Sequence, residues 1–337
     1  LDEKRAEAER IRGLLGDEDA RWTLIRDELR DVKDAFADER RSEIAGPDAA
    51  IEYTEEDYII DEDVFVMVTR DGWVKRQGSY TDIDSIRVRD GDEVGWVLPA
   101  STRATVGFFT NFGTCYTTRV DEIPSTTGYG DPVQKLFAFE DKERVVGVVS
   151  FDDRILPGAV PPDVETQADM FTNGTADEAD YDGDPYVVAI TKMGQAIRFT
   201  IEGYTDPSTR TGRMYARLED GDQVVRAMIA RGHENVCLAS HQGRALIFPV
   251  HQISVYKGAA KGVIAIRLDD GDRVLGFTLS DMAREGLRVE TNNGRDETIR
   301  TTKFDVTSRG AKGALVIKRG YFARVFVEPI EKAFPES

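Results

Sequence analysis

The sequence predicts an all-β, propeller-like fold of about five four-stranded blades preceded by a short α-helical arm. Three observations lead there. A Thr or Ser stands three residues ahead of a Gly at five places, a second turn follows four of the five, and a helical apolar period is confined to the N-terminal residues.

The helical arm comes first. Trp22, Ile25, Leu29, Val32 and Phe36 step by three and four residues and so share one helix face. Asp17 or Asp19 is placed to cap that helix, and Gly13 and Gly16 are expected to separate it from an earlier one containing Ala8 and Ile11. A narrow apolar stripe between charged flanks suits an antiparallel helical pair or the end of a coiled coil, with an ordinary surface helix as the alternative.

The repeats follow. Their first turns are Thr69-Arg-Asp-Gly72, Thr110-Asn-Phe-Gly113, Thr191-Lys-Met-Gly194, Ser240-His-Gln-Gly243 and Thr291-Asn-Asn-Gly294. A tight hairpin with a bulge needs one residue at positive φ, which Gly supplies without a Cβ clash. The flanks are short β-branched or aromatic runs such as Val64–Val68, Tyr186–Ile190 and Ala245–Phe248, with strand length and strand composition. The second turns, Asp90-Gly-Asp92, Asp141-Lys-Glu143, Asp220-Gly-Asp222 and Asp270-Gly-Asp272, lead into further apolar runs beginning at Val94, Val145, Val224 and Val274. Two turns per unit imply about four strands, and a lone four-stranded sheet must bury a face against its neighbours. The expected division is a helical arm over 1–48, an acidic linker over 49–63 and a blade domain over 64–335, interrupted by a Pro-, Gly- and acid-rich loop over 152–185.

Charge is distributed unevenly. The formal net charge of the 337 residues is −18. Residues 152–185 hold ten acids against one base, whereas residues 186–337 hold 23 bases against 18 acids. The blades themselves are therefore not acidic, and an anionic partner is not excluded. The two cysteines, Cys115 and Cys237, suit core hydrophobes in a reducing compartment. There is no apolar run of membrane-spanning length and no secretory signal, so a cytoplasmic location is expected.

Within the arm, Glu28-Leu-Arg-Asp-Val-Lys-Asp-Ala-Phe-Ala-Asp-Glu-Arg-Arg41, followed by Ile44, resembles the segment that closes the coiled-coil gate of bacterial type IIA topoisomerase A subunits. Asp71-Gly-Trp-Val-Lys-Arg76 is similar to the first-blade hairpin of the gyrase and topoisomerase IV C-terminal domain, and Val255–Gly276 to the long loop and closing turn of its later blades. The resemblance implies a β-pinwheel whose outer rim bends duplex DNA. It also implies that the DNA-cleaving tyrosine lies in an upstream domain, so this fragment is not expected to cleave DNA. The expected partners are duplex DNA, the rest of the A subunit, and its ATPase B subunit, in the bacterial, nucleoid-associated cytoplasm. ATP and Mg2+ are expected for the whole enzyme and no cofactor for the fragment, which is expected to be monomeric. One departure matters. The basic, Gly-rich box of gyrases has no counterpart in Gln77-Gly-Ser-Tyr-Thr-Asp-Ile-Asp84, and only degenerate relatives stand at Lys257–Gly262 and Ser308–Gly313. That favours topoisomerase IV-like decatenation or relaxation, with a divergent, DNA-wrapping gyrase as the alternative.

A protein that bends DNA needs Lys and Arg along a convex edge. The candidate phosphate contacts are Lys75, Arg76, Arg119, Arg198 and Arg244 near the first turns, and Arg210, Arg213, Lys257, Lys261, Arg309 and Lys312 in the long loops. No basic-aromatic pattern of a single-strand binder is present. His233, His241 and His251 lack Cys partners, so no zinc site is expected, and the Asp-Gly-Asp turns lack the further ligands of a calcium loop. Without a catalytic constellation, the competing readings are a protein-binding propeller scaffold and, more distantly, an enzyme with a central-channel site. The acidic loop suggests one regulatory expectation: residues 152–185 fold over the basic rim and compete with DNA.

Overall fold

The computed structural model describes residues 1–36, 58–156 and 185–334. The Asp-Glu-Arg-Arg segment, most of the acidic linker and most of the acidic loop lie outside the described residues. The chain divides into two compact units, Leu1–Thr54 and Glu55–Ser337.

The first unit carries α1 (Asp2–Gly16) and α2 (Glu18–Phe36). Asp17 begins α2, its carboxylate accepting from the backbone N–H of Asp19 at 2.9 Å and of Ala20 at 3.3 Å. Gly13, expected to break the helix, lies inside α1, because a single interior Gly costs only about 1 kcal/mol and neighbouring turns carry it. The stripe Trp22, Ile25, Leu29, Val32 and Phe36 lies exposed on α2.

The second unit is all-β, and its repeats form five sheets as the turn pattern predicts. Each has a hairpin and a third strand: Asp63–Thr69, Trp73–Gln77 and Val94–Ser101 in the first; Thr105–Thr110, Thr114–Arg119 and Val145–Ser150 in the second. The third has Tyr186–Thr191, Gln195–Thr200 and Val224–Ala230; the fourth Asn235–Ser240, Arg244–Pro249 and Val274–Ser280; the fifth Leu287–Thr291, Asp296–Ile299 and Phe322–Val325. Gly72, Gly113, Gly194, Gly243 and Gly294 all sit at φ between 73° and 85°, the left-handed conformation that the hairpins require.

The second turns brace the first. The carboxylates of Asp92, Asp222 and Asp272 accept hydrogen bonds from the tip N–H groups of Asp71, Met193 and Gln242 at 2.9–3.0 Å. These three carboxylates are thus engaged by backbone, and among the described residues no cluster of three metal-ligating side chains forms. In the second sheet Lys142 takes the turn glycine's place at φ 66°.

Hydrophobic burial runs between sheets. One cluster joins the first and second around Trp96, Phe108 and Val133, and the next joins the second and third around Phe109, Phe199 and Tyr215. Two more join third to fourth and fourth to fifth. Fully burying each such aromatic contributes about 2–3 kcal/mol, which no sheet could gain alone. Cys115 and Cys237 belong to these layers, and burial pushes both thiols up to about 12.

The third strands of successive sheets are neighbours and surround a cavity of about 320 Å³ lined by Leu98, Val148, Ala227 and Leu279. The opposite edge of each sheet is therefore its outer rim. There the sheets exchange strands: Asp131–Pro132 from the second repeat pairs with the first sheet, and Arg213–Met214 from the third repeat with the second. Val255–Tyr256 and Val263–Ile264 from the fourth repeat pair with the third sheet, and Ala314–Leu315 from the fifth with the fourth.

Two glycines per repeat make the exchange possible. The hairpin glycine, at positive φ, turns its carbonyl outward to accept from the next repeat's loop: Gly113 from the N–H groups of Tyr215 and Ala216, Gly194 from Ala265, Gly243 from Val316, at 2.7–3.1 Å. The donated strand opens with a second positive-φ glycine pressed on the acceptor backbone. A Cβ on Gly130 or Gly262 would stand 2.3 Å from the carbonyl oxygen of Val74 or Ala196, and one on Gly313 2.5 Å from that of Ala245.

The pattern stops at one seam. The first repeat's loop runs only from Gln77 to Val94 and folds back on its own sheet, where Tyr80, Ile83, Ile86 and Val88 cover Met67, Val94 and Val97. The fifth sheet accordingly receives no donated strand among the described residues. The C-terminal strand Ile330–Glu331 instead pairs parallel with Trp96–Val97 of the first sheet. It is fastened by Arg70 donating to the carbonyls of Val327 and Glu328, by Tyr80 donating to Glu331 at 2.6 Å, and by Phe334 against Phe65.

The two kinds of turn glycine predict unequal costs. Gly271→Ala meets nothing within 4 Å and is expected to cost about 1 kcal/mol for its φ of +73°. Gly262→Ala, with the same strain plus the clash, is expected to cost roughly 3 kcal/mol. Urea denaturation of the two variants measures the difference, and equal losses would contradict the exchange geometry.

Candidate nucleic-acid interface

Because the donated loops lie on the outer edge of every acceptor sheet, their residues are the ones a large external partner meets. The loops bond to one another in series: Ala138 N–H to the Arg210 carbonyl, Arg217 to Ala260, and Arg267 to Ala311, at 2.8–3.0 Å. They form a belt that crosses from repeat to repeat.

The structure sorts the basic residues expected from the sequence into three groups. Lys75 and Arg198 are buried. The Lys75 ammonium donates to the carbonyls of Arg87 and Gly128 at 3.0 and 2.7 Å, and burial, reinforced by the Arg87 charge, holds it below the usual lysine range. Arg198 lies 4.2 Å over the Tyr186 ring and donates to the Val250 carbonyl. Both sit on the outward run of a hairpin, where an alternate residue faces the neighbouring loop instead of solvent.

A second group holds the belt together. Arg76 donates to the carbonyls of Ile123 and Asp121, Arg213 to those of Gly203, Asp206 and Pro207, and Arg309 to those of Gln252 and Ile264. These guanidinium groups satisfy backbone carbonyls in the loops and at the end of a donated strand. Arg119, half-exposed at the end of its hairpin, has an interaction of its own.

The third group reaches the surface, with Arg244 only 20% exposed and donating also to the Gly313 carbonyl. Arg210, Lys257 and Lys261 are exposed and form no salt bridge among the described residues. Lys312 and Arg244 share one carboxylate: Asp269 accepts from Lys312 at 2.7 Å and from Arg244 at 2.9 Å. Those hydrogen bonds, Lys312 first, hold Asp269 below the usual carboxylate range. The group is therefore ionised at neutral pH, and its link to the two cations is lost only as pH falls through that depressed value.

A further set escaped the sequence reading. Counting from the positive-φ glycine that opens each donated strand, the fifth residue onward is Lys135, Arg217, Arg267 and Lys318, all four exposed. Lys135 pairs with Asp131 at 2.6 Å, while the other three form no salt bridge among the described residues. The signal was present as a spacing, but it appears only when the repeats are aligned on these second glycines instead of on the hairpin tips.

A unit of five consecutive sheets that pack face to face and exchange outer strands is a β-pinwheel. The profile of the family described as "DNA gyrase C-terminal domain, beta-propeller" matches residues 108–152, 185–231 and 234–281, which cover the second, third and fourth sheets. The chain is 27% identical over 323 residues to the A subunit of DNA gyrase from Haloquadratum walsbyi, covering 92% of this chain and 35% of that protein. It is 28% identical over 315 residues to its counterpart from Dehalogenimonas lykanthroporepellens, covering 88% and 34%. The chain thus spans about a third of the length of these curated relatives. Among solved structures, the fold matches the C-terminal domain of DNA topoisomerase IV (TM-score 0.65, 21% identity, 80% of this chain and 79% of that one). It also matches the E. coli ParC C-terminal domain (TM-score 0.58, 17% identity, 79% and 98%). The second, third and fourth sheets thus match the DNA gyrase C-terminal domain family, the chain as a whole is similar to DNA gyrase A subunits, and its fold is shared with the C-terminal domains of topoisomerase IV and ParC. The profile omits the first and fifth sheets, the two that border the seam.

Removing the Asp269 charge tests whether Lys312 and Arg244 are restrained by it. Asp269→Asn is expected to tighten duplex DNA binding about three- to tenfold at ~0.1 M salt. Fluorescence anisotropy with a labelled duplex measures it, and weaker or equal binding would mean that these cations do not face DNA.

Proposed function

We propose that the belt of donated loops binds duplex DNA through its phosphates, without sequence preference, and bends it along the rim. The observation that carries this reading is the repetition of exposed cations on equivalent loop positions, Arg217, Arg267 and Lys318, beside Arg210, Lys257 and Lys261. A line of phosphates has a repeating charge, and a repeating set of cations on a convex edge is its complement. Similarity to the DNA gyrase C-terminal domain family supports the same reading. Within a whole enzyme, the domain would hold a duplex for the strand-passing core that the A and B subunits build.

The finer reading is topoisomerase IV-like decatenation or relaxation with at most weak wrapping. It is supported by the short first loop, which lacks a basic, Gly-rich box and folds onto its own sheet. A chiral wrap needs a continuous path past the seam, and here neither a donated strand nor a basic loop spans it among the described residues. The second reading, a divergent gyrase domain that wraps DNA for supercoiling, is favoured by the curated relatives, which are DNA gyrase A subunits matched over about nine-tenths of this chain. A protein-binding scaffold is disfavoured because six exposed belt cations, Arg210, Arg217, Lys257, Lys261, Arg267 and Lys318, form no salt bridge among the described residues that would neutralise them.

Two measurements test these readings. Lys257→Ala with Lys261→Ala is expected to weaken duplex binding uniformly across sequences and to lower the slope of log affinity against log salt by about two. A flat salt response of the parent protein would remove the DNA reading. Ligation of nicked plasmid in the presence of the protein should leave linking number nearly unchanged, whereas a protein-dependent shift of one sign would select the wrapping alternative.

A further inference from the structure

The belt presents more than charge. In three consecutive repeats the second residue after the donated glycine is a large apolar side chain left exposed: Met214 at 58%, Ile264 at 45% and Leu315 at 50%. Their strand partners are Thr114, Gln195 and Arg244, each the residue immediately after a hairpin glycine, so the three positions are structurally equivalent. The fourth exchanged strand has Pro132 at this place, opposite Trp73.

Isolated exposed apolar residues are ordinary. These three are instead in register, on the outermost strand of successive sheets, and each is bracketed by cations in its own loop. The brackets are Arg210 and Arg217 around Met214, Lys261 and Arg267 around Ile264, and Lys312 and Lys318 around Leu315. Around Ile264 the arrangement is visible as one surface. An open groove of about 590 Å³ is lined by Met193, Ile264, Leu268, Arg267 and Lys312, together with Asp269 and Asp270.

We propose that Met214, Ile264 and Leu315 form an apolar ladder that seats against the deoxyribose faces of the bound duplex, between the phosphates held by the flanking cations. This rests on the belt being the duplex-binding surface and says what its uncharged positions do. Sugar C–H surface recurs along a duplex whatever the bases, so an apolar residue in each repeat suits binding without sequence readout. A cation held to a phosphate releases counterions and sets the salt dependence, whereas apolar burial contributes equally at every salt concentration. The two contributions are therefore separable by experiment.

The test compares the parent chain with two triple variants, Met214→Ser/Ile264→Ser/Leu315→Ser and the apolar control Met214→Leu/Ile264→Leu/Leu315→Met, using a duplex of about 40 base pairs from ~50 to ~200 mM salt. The serine variant is expected to bind about tenfold more weakly at every salt concentration with an unchanged log–log slope, while the control binds like the parent. Circular dichroism melting of all three verifies the fold. Parent-like affinity of the serine variant, or a loss that appears as a change of slope, overturns the ladder while the electrostatic reading stands. A parent chain that binds no duplex overturns both.

Discussion

The hairpin glycine carbonyl is the contact on which the exchange of strands depends. A residue at positive φ reverses the chain in a short loop, and in doing so it aims its C=O away from its own hairpin. Gly113, Gly194 and Gly243 each offer that oxygen to backbone N–H groups of the following repeat, whose loop is drawn across the gap. Once the loop is anchored, Gly212, Gly262 or Gly313 allows its following residues to lie against the acceptor strand, where a side chain could not fit. Inter-sheet burial then stabilises what these backbone contacts align.

The seam shows the same rule by exception. The first repeat's loop folds back on its own sheet, so among the described residues no donated strand covers the fifth sheet's outer strand, whose first residue is Asp296, exposed and paired with Arg288 at 2.8 Å. In the other sheets the residues that meet a donated strand include Val74, Cys115, Ala196 and Ala245, all buried beneath it. A charged residue at an uncovered edge discourages unwanted pairing. Contact between the ends of the array passes instead through the strand Ile330–Glu331, at the inner edge of the first sheet.

Much of the fold was legible because its determinants are local. Thr69 to Gly72 specifies a hairpin through the φ preference of one residue, and a strand such as Tyr186–Thr191 is recognised by its length and its branched side chains. The donated strands were not legible. Arg213–Met214 and Ala314–Leu315 are two residues long, too short for any period to register, and they are strands only because another repeat supplies the partner. The same non-locality governs the site. Lys75 and Lys257 look alike in sequence, yet one is enclosed by the carbonyls of Arg87 and Gly128 while the other is exposed.

The sequence by itself determined the number of repeats, their hairpin turns, the buried apolar strands and the family resemblance, since each is written in nearest-neighbour patterns or in spacing. Tertiary structure alone decided which cations are exposed, which serve as internal donors, and where, among the described residues, the array does not exchange a strand. Those outcomes depend on backbone carbonyls and carboxylates brought together from distant repeats, as Asp269 is with Lys312 and Arg244.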